Sequence, residues 1–436
     1  MILGVSAGTT MLRAAGRSGD LGRSSVRILW LALVCAFVIA LPGERSGRVG
    51  DDAVYDSIFR NRRFDFVSWE LLTLSSKARY ALAPPHTYVD TELQKRIVVD
   101  WTEQLSSVQR LEAQVAAVYA DPSVGAPERA AADMVLILQE ARRGLAAVQP
   151  MAEGIIQEQV AAVLADTGLT WAGRVFPPVQ LHFTPLPAML VVSPRDRIEA
   201  VRFVPLVHGL DEADRLAIET AVDQQLGVSS LVVNIGGLGA YPAMLFESTA
   251  LDWVLNTAAH EWTHHYLTLR PLGIRYDANP ELRTMNETTA SIVGNEIGAQ
   301  ALLRFYPERI PPLTQTGAAA SNLNAAPPAF DFRAEMRQTR LTVDALLEEG
   351  RIAEAESHME ARRQVFWANG YQIRKLNQAY FAFYGAYADE PGEQGEDPVG
   401  PAVVALRQKS PSLQAFLESV AALKSYADLE ALLASQ

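Results

Sequence analysis

The sequence predicts a mostly α-helical chain with a small β-sheet, an α+β arrangement. Three observations predict it. Long stretches carry apolar residues every three to four positions without proline or glycine. A central stretch beginning near Trp171 is instead rich in β-branched and aromatic residues and is broken by prolines and glycines. A helix-like run from Leu251 to Leu269 then packs three of the chain's seven histidines into six residues.

Length and composition bound the rest. A chain of 436 residues holds two or three domains and a sizeable core. Hydrophobic residues make up 49% and charged residues 20%, too apolar for general disorder. The net charge of -12 excludes the basic footprint of a nucleic-acid partner. The lone cysteine, Cys35, excludes an intrachain disulfide and a cysteine-based zinc site.

Taken in order, residues 1–42 read as a signal peptide or signal anchor. Arg13, Arg17, Arg23 and Arg27 face one acid, Asp20, and the uncharged segment Ile28 to Leu41 follows. Fourteen apolar residues suit a signal core, and the arginine-bearing leader suits an anchor. The expectation is membrane association through residues 28–41, or secretion, with the bulk of the chain extracytoplasmic. A polar linker, Pro42 to Asp52, leads into a helical bundle over residues 52–167. Its clearest helix, Thr91 to Ala120, has Thr91 as N-cap and Val98, Trp101, Leu105, Val108 and Leu111 on one face. "PERAAADMVLILQEARRGLAAV" and "MAEGIIQEQVAAVLADTG" read as further helices.

Residues 171–310 form the next unit. "VQLHFTPLPAMLVVSPRDRIEAVRFVPL" predicts two or three short strands, with His182 packed among them. Asp211 to Gly227 is a capped helix ending in glycine. "SSLVVNIGGLGAYPAMLFEST" reads as strand, glycine-rich turn, strand. After the histidine run, a second helix covers about Asn279 to Tyr306. Pro311 to Phe330 is a loop. Residues 331–436 form a C-terminal helical region that includes "QIRKLNQAYFAFYGAYA" and an acidic loop, "DEPGEQGEDPVG".

The histidine run carries the chemistry. His260, Glu261 and His264 form H-E-x-x-H in a stretch free of proline and glycine. On a helix, residues four apart share a face, so two imidazoles can grip one metal ion. Glu261, one step round, can hold a metal-bound water and take its proton. Zn2+ is the favoured ion, since two imidazoles and a carboxylate are a usual catalytic set for it. His265 lies about 100° round from His264 and reads as a supporting or surface residue. A third ligand must come from downstream, where "NETTASIVGNEIG" offers Glu287 and Glu296 on nearly opposite helical faces. Glu287 shares its face with Ala290, Ser291 and Gly294, small enough for close packing on the first helix. Glu296 reads as a substrate-contacting or solvent residue.

"HEWTH", followed 23 residues later by Glu287 within "NETTA", resembles the gluzincin metallopeptidases, the thermolysin-like and aminopeptidase group. The resemblance implies a gluzincin-like core around the zinc helix. It also implies that His260, His264 and Glu287 are zinc ligands and Glu261 the base. Ser291 stands where thermolysin-like enzymes carry an acid that steadies a ligand histidine. "RKLNQAYFAFYGAYA" is faintly similar to a segment of bacterial aminopeptidases.

Such a site needs a strand edge for an extended peptide, and Gly236 to Met244 offers one or a hairpin turn. Glu247 can meet a substrate amine or be an ordinary strand-end charge. The oxyanion needs a donor besides zinc. Tyr380, Tyr384 and Tyr387 share a helical face, and Tyr384 is the candidate, ahead of Tyr266 and Tyr276. The expected function is zinc-dependent hydrolysis of a peptide or protein substrate. The alternatives are hydrolysis of a non-peptide amide or ester, and a membrane-tethered scaffold stapled by a structural zinc.

Overall fold

The computed structural model describes residues 51–435, apart from 121–123, 125, 239, 311–329, 372 and 385–397. The leader 1–42, almost all of the loop 311–330, Tyr387 and most of the acidic loop lie outside these residues. Among the described residues no helix is long and apolar enough to cross a membrane. That finding corrects the expected transmembrane anchor, and the segment proposed for it, Ile28 to Leu41, is among those not described.

The chain starts with α1 (Asp51–Phe59), α2 (Phe66–Leu82), α3 (Thr91–Ala120), the single turn α4 (Pro127–Ala130) and α5 (Ala132–Asp166). α3 buries Val98, Trp101, Leu105 and Val108 against Leu145, Ile155, Ile156 and Val160 of α5, the helical spacing expected of a core face. Its cap is supplied one residue earlier than Thr91, by Asp90, whose Oδ1 accepts the Leu93 amide at 2.8 Å. α5 is one helix of 35 residues with Pro150 inside it, where the sequence reads as two. An internal proline costs about 3 kcal/mol in a helix. Here Ala152 to Ile156 are all buried directly after it, and that burial holds the two halves in line. Beside the proline, the Gln149 amide donates to Glu153 Oε1 and to the Phe183 carbonyl, both at 2.7 Å.

Glu153 is the polar centre of this bundle. Lys77 Nζ lies 2.5 Å from Glu153 Oε2, and His182 Nδ1 lies 3.0 Å from Oε1. Burial opposes its charge, but Lys77 and His182 outweigh that and hold the carboxyl down at about 2. The strand histidine His182 is thus paired to a buried acid.

Six strands form two small sheets: β1 (Leu181–Phe183), β2 (Ala188–Ser193), β3 (Arg202–Leu206), β4 (Ser229–Asn234), β5 (Gly237–Leu238) and β6 (Ala243–Leu245). The first sheet has the order β1-β6-β5, with β6 parallel to β1 and β5 an antiparallel edge. The second is antiparallel, β3-β2-β4. Between β3 and β4 runs α6 (Glu212–Leu226), capped by Asp211 and closed by Gly227 at φ 66°, a left-handed position suited to glycine.

β2 is buried along its whole length because helices cover both faces of its sheet. Alternation sends Ala188, Leu190 and Val192 to a core with α1 and α6. Met189 and Val191 go to the other side. α7 (Leu251–Thr268), α8 (Pro271–Ile274) and α9 (Pro280–Phe305) send their apolar residues to a different core; the helices lining this one are α10 (Phe332–Glu348), α11 (Ile352–Ala368) and α12 (Gln378–Tyr384). The first sheet instead joins the large core of α3, α5, α7 and α9, closed by α13 (Val399–Lys409), α14 (Leu413–Ala421) and α15 (Tyr426–Ser435).

The helix read from "QIRKLNQAYFAFYGAYA" begins only at Gln378. Arg374 and Lys375 are drawn off to Glu219 and Asp223 of α6. Asn377 then caps α12 through the Tyr380 amide at 2.9 Å.

α2 turns polar residues inward: Glu70, Thr73 and Lys77 are buried while Val67, Leu71 and Leu72 are exposed. Among the described residues neither Glu70 oxygen has a hydrogen-bond partner, and burial pushes its carboxyl up to about 7. The fold therefore keeps a proton on Glu70 that the unfolded chain releases near the ordinary carboxylate value. Its contribution is full at acid pH and is lost as pH rises through 7. From about pH 5 to 8, urea unfolding should show wild type losing about 1–3 kcal/mol more stability than Glu70→Gln. Parallel pH profiles would contradict this.

Candidate metal centre

α7 is rotated by its apolar side chains. Val254, Leu255, Ala258, Ala259, Trp262 and Leu267 are buried, and the Trp262 indole donates to the Pro177 carbonyl at 2.8 Å. His260 and His264, one turn apart, then sit at the border of that face. Their side chains are 15% and 17% exposed, enough to be reached from solvent while remaining fixed.

α9 starts at an Asn279 cap with Pro280 in its first turn, a strong local start signal. It lies almost in contact with the α7 backbone. A Cβ on Gly298 would stand 2.7 Å from the Asn256 Cα and N, and one on Gly294 would stand 3.1 Å from the His260 Cβ. Only glycine permits the first approach without movement of backbone. This packing carries Glu287, about three turns before Gly298 on the same helix, onto the two histidines.

The three side chains converge. His260 Nε2 and His264 Nε2 are 3.1 Å apart. Glu287 Oε2 lies 3.6 Å from the first and 3.5 Å from the second. A circle through these three atoms has a radius of about 2.0 Å, the length of a Zn–N or Zn–O bond. The group could hold one metal ion.

Two residues to which the sequence assigned no such role, Asn286 and Tyr276, support these side chains. Asn286 Oδ1 accepts from His264 Nδ1 at 2.9 Å, which turns Nε2 toward His260 and Glu287. This partner comes from the residue before Glu287, and the acid missing at Ser291 is not required for His264. Tyr276, ranked below Tyr384 from sequence, donates its hydroxyl to Glu287 Oε1, and its ring stands edge-on to His264 with centroids 6.2 Å apart. Nothing in the spacing of Tyr276 marks it, because a turn after α8 brings it back.

Glu261 is buried beside the ligands, and its Oε2 has no hydrogen-bond partner. Burial raises its pKa, His260 and His264 lower it, and Glu287 raises it again, for a net rise. Above it lies Gly237 of the edge strand β5, where a Cβ would stand 2.2 Å from Glu261 Oε1. Burial also opposes charge on Glu287, but His264 and His260 overcome it and hold its carboxyl well below the ordinary range. His264 is raised in turn to about 9, because Glu287 outweighs its burial. His265, buried on another face of α7, is pushed down to about 4 by burial and stays neutral.

The other candidates have partners of their own. Tyr384 stacks obliquely on Tyr380 at 4.5 Å between ring centroids and packs on the second core. Glu247 is paired with Arg142 of α5 at 2.6 Å, which anchors the segment before α7 rather than offering a free acid to an amine. Glu296 grips Arg407 of α13 through both oxygens at 2.6 and 2.8 Å. It docks a C-terminal helix and does not contact substrate as a free charge.

Metal binding must displace the proton that Glu287 keeps on His264. Zinc affinity, read by competition with a chromophoric chelator, should therefore rise with pH between about pH 6 and 9. Asn286→Ala should weaken it by about 10–100-fold. Unchanged affinity in that variant would contradict the orienting role.

No protein-family model, curated protein or solved structure matches this chain.

Proposed function

We propose that this chain is a zinc-dependent peptidase of gluzincin type in which Glu261 transfers the protons. The observation that carries the reading is the buried carboxylate of Glu261, whose Oε2 has no partner among the described residues, beside three converging side chains. Three protein ligands are the number a catalytic zinc uses, whereas a structural zinc takes four and has no use for a free acid at its side. His260, His264 and Glu287 would hold the ion.

Bound zinc supplies Lewis acidity for the substrate carbonyl and makes water more acidic. The chain's own residues do the rest. Glu261 accepts a proton from the attacking water and returns it to the leaving amine; burial raises its pKa, the direction that strengthens it as a base. The Tyr276 hydroxyl, which at rest gives its one proton to Glu287 Oε1, turns from it to donate to the oxygen that becomes negative in the transition state.

A peptide substrate is favoured by β5. Among the described residues it is paired on one side only, to β6, so an extended peptide can add along its other edge through main-chain hydrogen bonds. Gly237 brings that edge against Glu261, which puts a peptide held there within reach of the base.

With a quenched-fluorescence peptide library as substrate, Glu261→Gln should lower kcat by about 10²–10⁴-fold. Tyr276→Phe should lower it by about 10²–10³-fold. Both variants should keep bound zinc near wild-type level. Full activity in Glu261→Gln would sink the mechanism.

A further inference from the structure

β5 is too short to hold its own position. It has two residues, joined to β6 by the pairs Gly237↔Leu245 and Leu238↔Met244. A two-residue ladder at a sheet edge is easily displaced. Yet the Gly237 backbone is fitted closely against the Glu261 carboxylate, so something must fix its height.

We infer that His265 is the positioning residue that fixes the edge strand above Glu261. His265 lies on α7 four residues after Glu261, and it is buried. Its Nε2 lies 2.5 Å from the carbonyl of Ala240, in the connection between β5 and β6. A carbonyl can only accept, so His265 donates there. The Tyr241 ring stands edge-on to the imidazole with centroids 4.9 Å apart, and its hydroxyl donates to Pro178 O at 3.2 Å. The helix that carries Glu261 therefore also carries the post to which the hairpin tip is tied. Strand and base keep one spacing because both are referenced to α7. Among the described residues Nδ1 of His265 has no partner, and the Ala240 carbonyl is the contact its polar atoms make.

This inference rests on the reading of β5 as a peptide-binding edge, and the test separates the two. Zinc-loaded full-length wild type, His265→Leu and His265→Gln are compared with two probes. Acetohydroxamate reads the metal site alone, and a tripeptidyl hydroxamate reads the metal site plus the edge strand. His265→Leu should lose about tenfold or more in affinity for the peptidyl probe while acetohydroxamate binding holds. His265→Gln, whose amide can donate to the same carbonyl, should recover most of the loss. Hydrogen exchange over residues 235–246 should quicken in His265→Leu and return toward wild type in His265→Gln. Equal loss of both probes, or unchanged exchange in His265→Leu, overturns the inference. If wild type binds the peptidyl probe no better than acetohydroxamate, peptide recognition by β5 is refuted, and hydrogen exchange alone then decides the role of His265.

Discussion

The close passage of α9 over α7 is the contact on which the centre depends. Two imidazoles one helical turn apart are a common outcome of helix geometry and by themselves make half a site. The third donor must arrive from a different helix at a defined distance. Gly298 and Gly294 make that possible by removing side chains where the Asn256 backbone and the His260 Cβ lie. With larger residues there, the helices would separate by ångströms, and Glu287 would leave the circle on which the three ligand atoms sit.

Electrostatics then gives each acid a different task. Glu287 and Glu261 are both buried near the same two histidines. Glu287 lies close enough to them to stay charged, and Tyr276 and the imidazoles satisfy its oxygens. Glu261 is left with an unpartnered oxygen and a raised pKa. Two carboxylates pushed in opposite directions by their surroundings are the arrangement from which acid–base roles are assigned. Around them, the charged residues further out are structural. Glu153, Glu247 and Glu296 each bind a cation and tie the bundle, the segment before α7 and the C-terminal helices to this core.

What the sequence made legible follows from physical range. Periodicity and capping are local, so α3, α6, α7 and α9 were readable within a residue or two. His260, His264 and Glu287 were readable because four-residue spacing and a face of small residues are also local signals. Features set by distant partners were not. Pro150 stays inside α5 because of burial against the rest of the bundle. α12 starts late because Arg374 and Lys375 are pulled to α6. The single small sheet expected from the strand-rich stretch is two sheets, since β6 pairs with β1 and not with β2. Tyr276 and Asn286 gain their roles only when chain segments meet, and no spacing rule announces them.

The most direct test of the central claim is X-ray absorption at the zinc K-edge on the purified full-length protein. Two imidazoles and one carboxylate oxygen should appear at about 2.0–2.2 Å, with a light-atom donor completing the shell. Loss of one imidazole signal in His264→Ala should accompany them. Absence of zinc from protein purified without chelators and supplied with the metal, or a shell with no carboxylate and more than two imidazoles, would contradict the account.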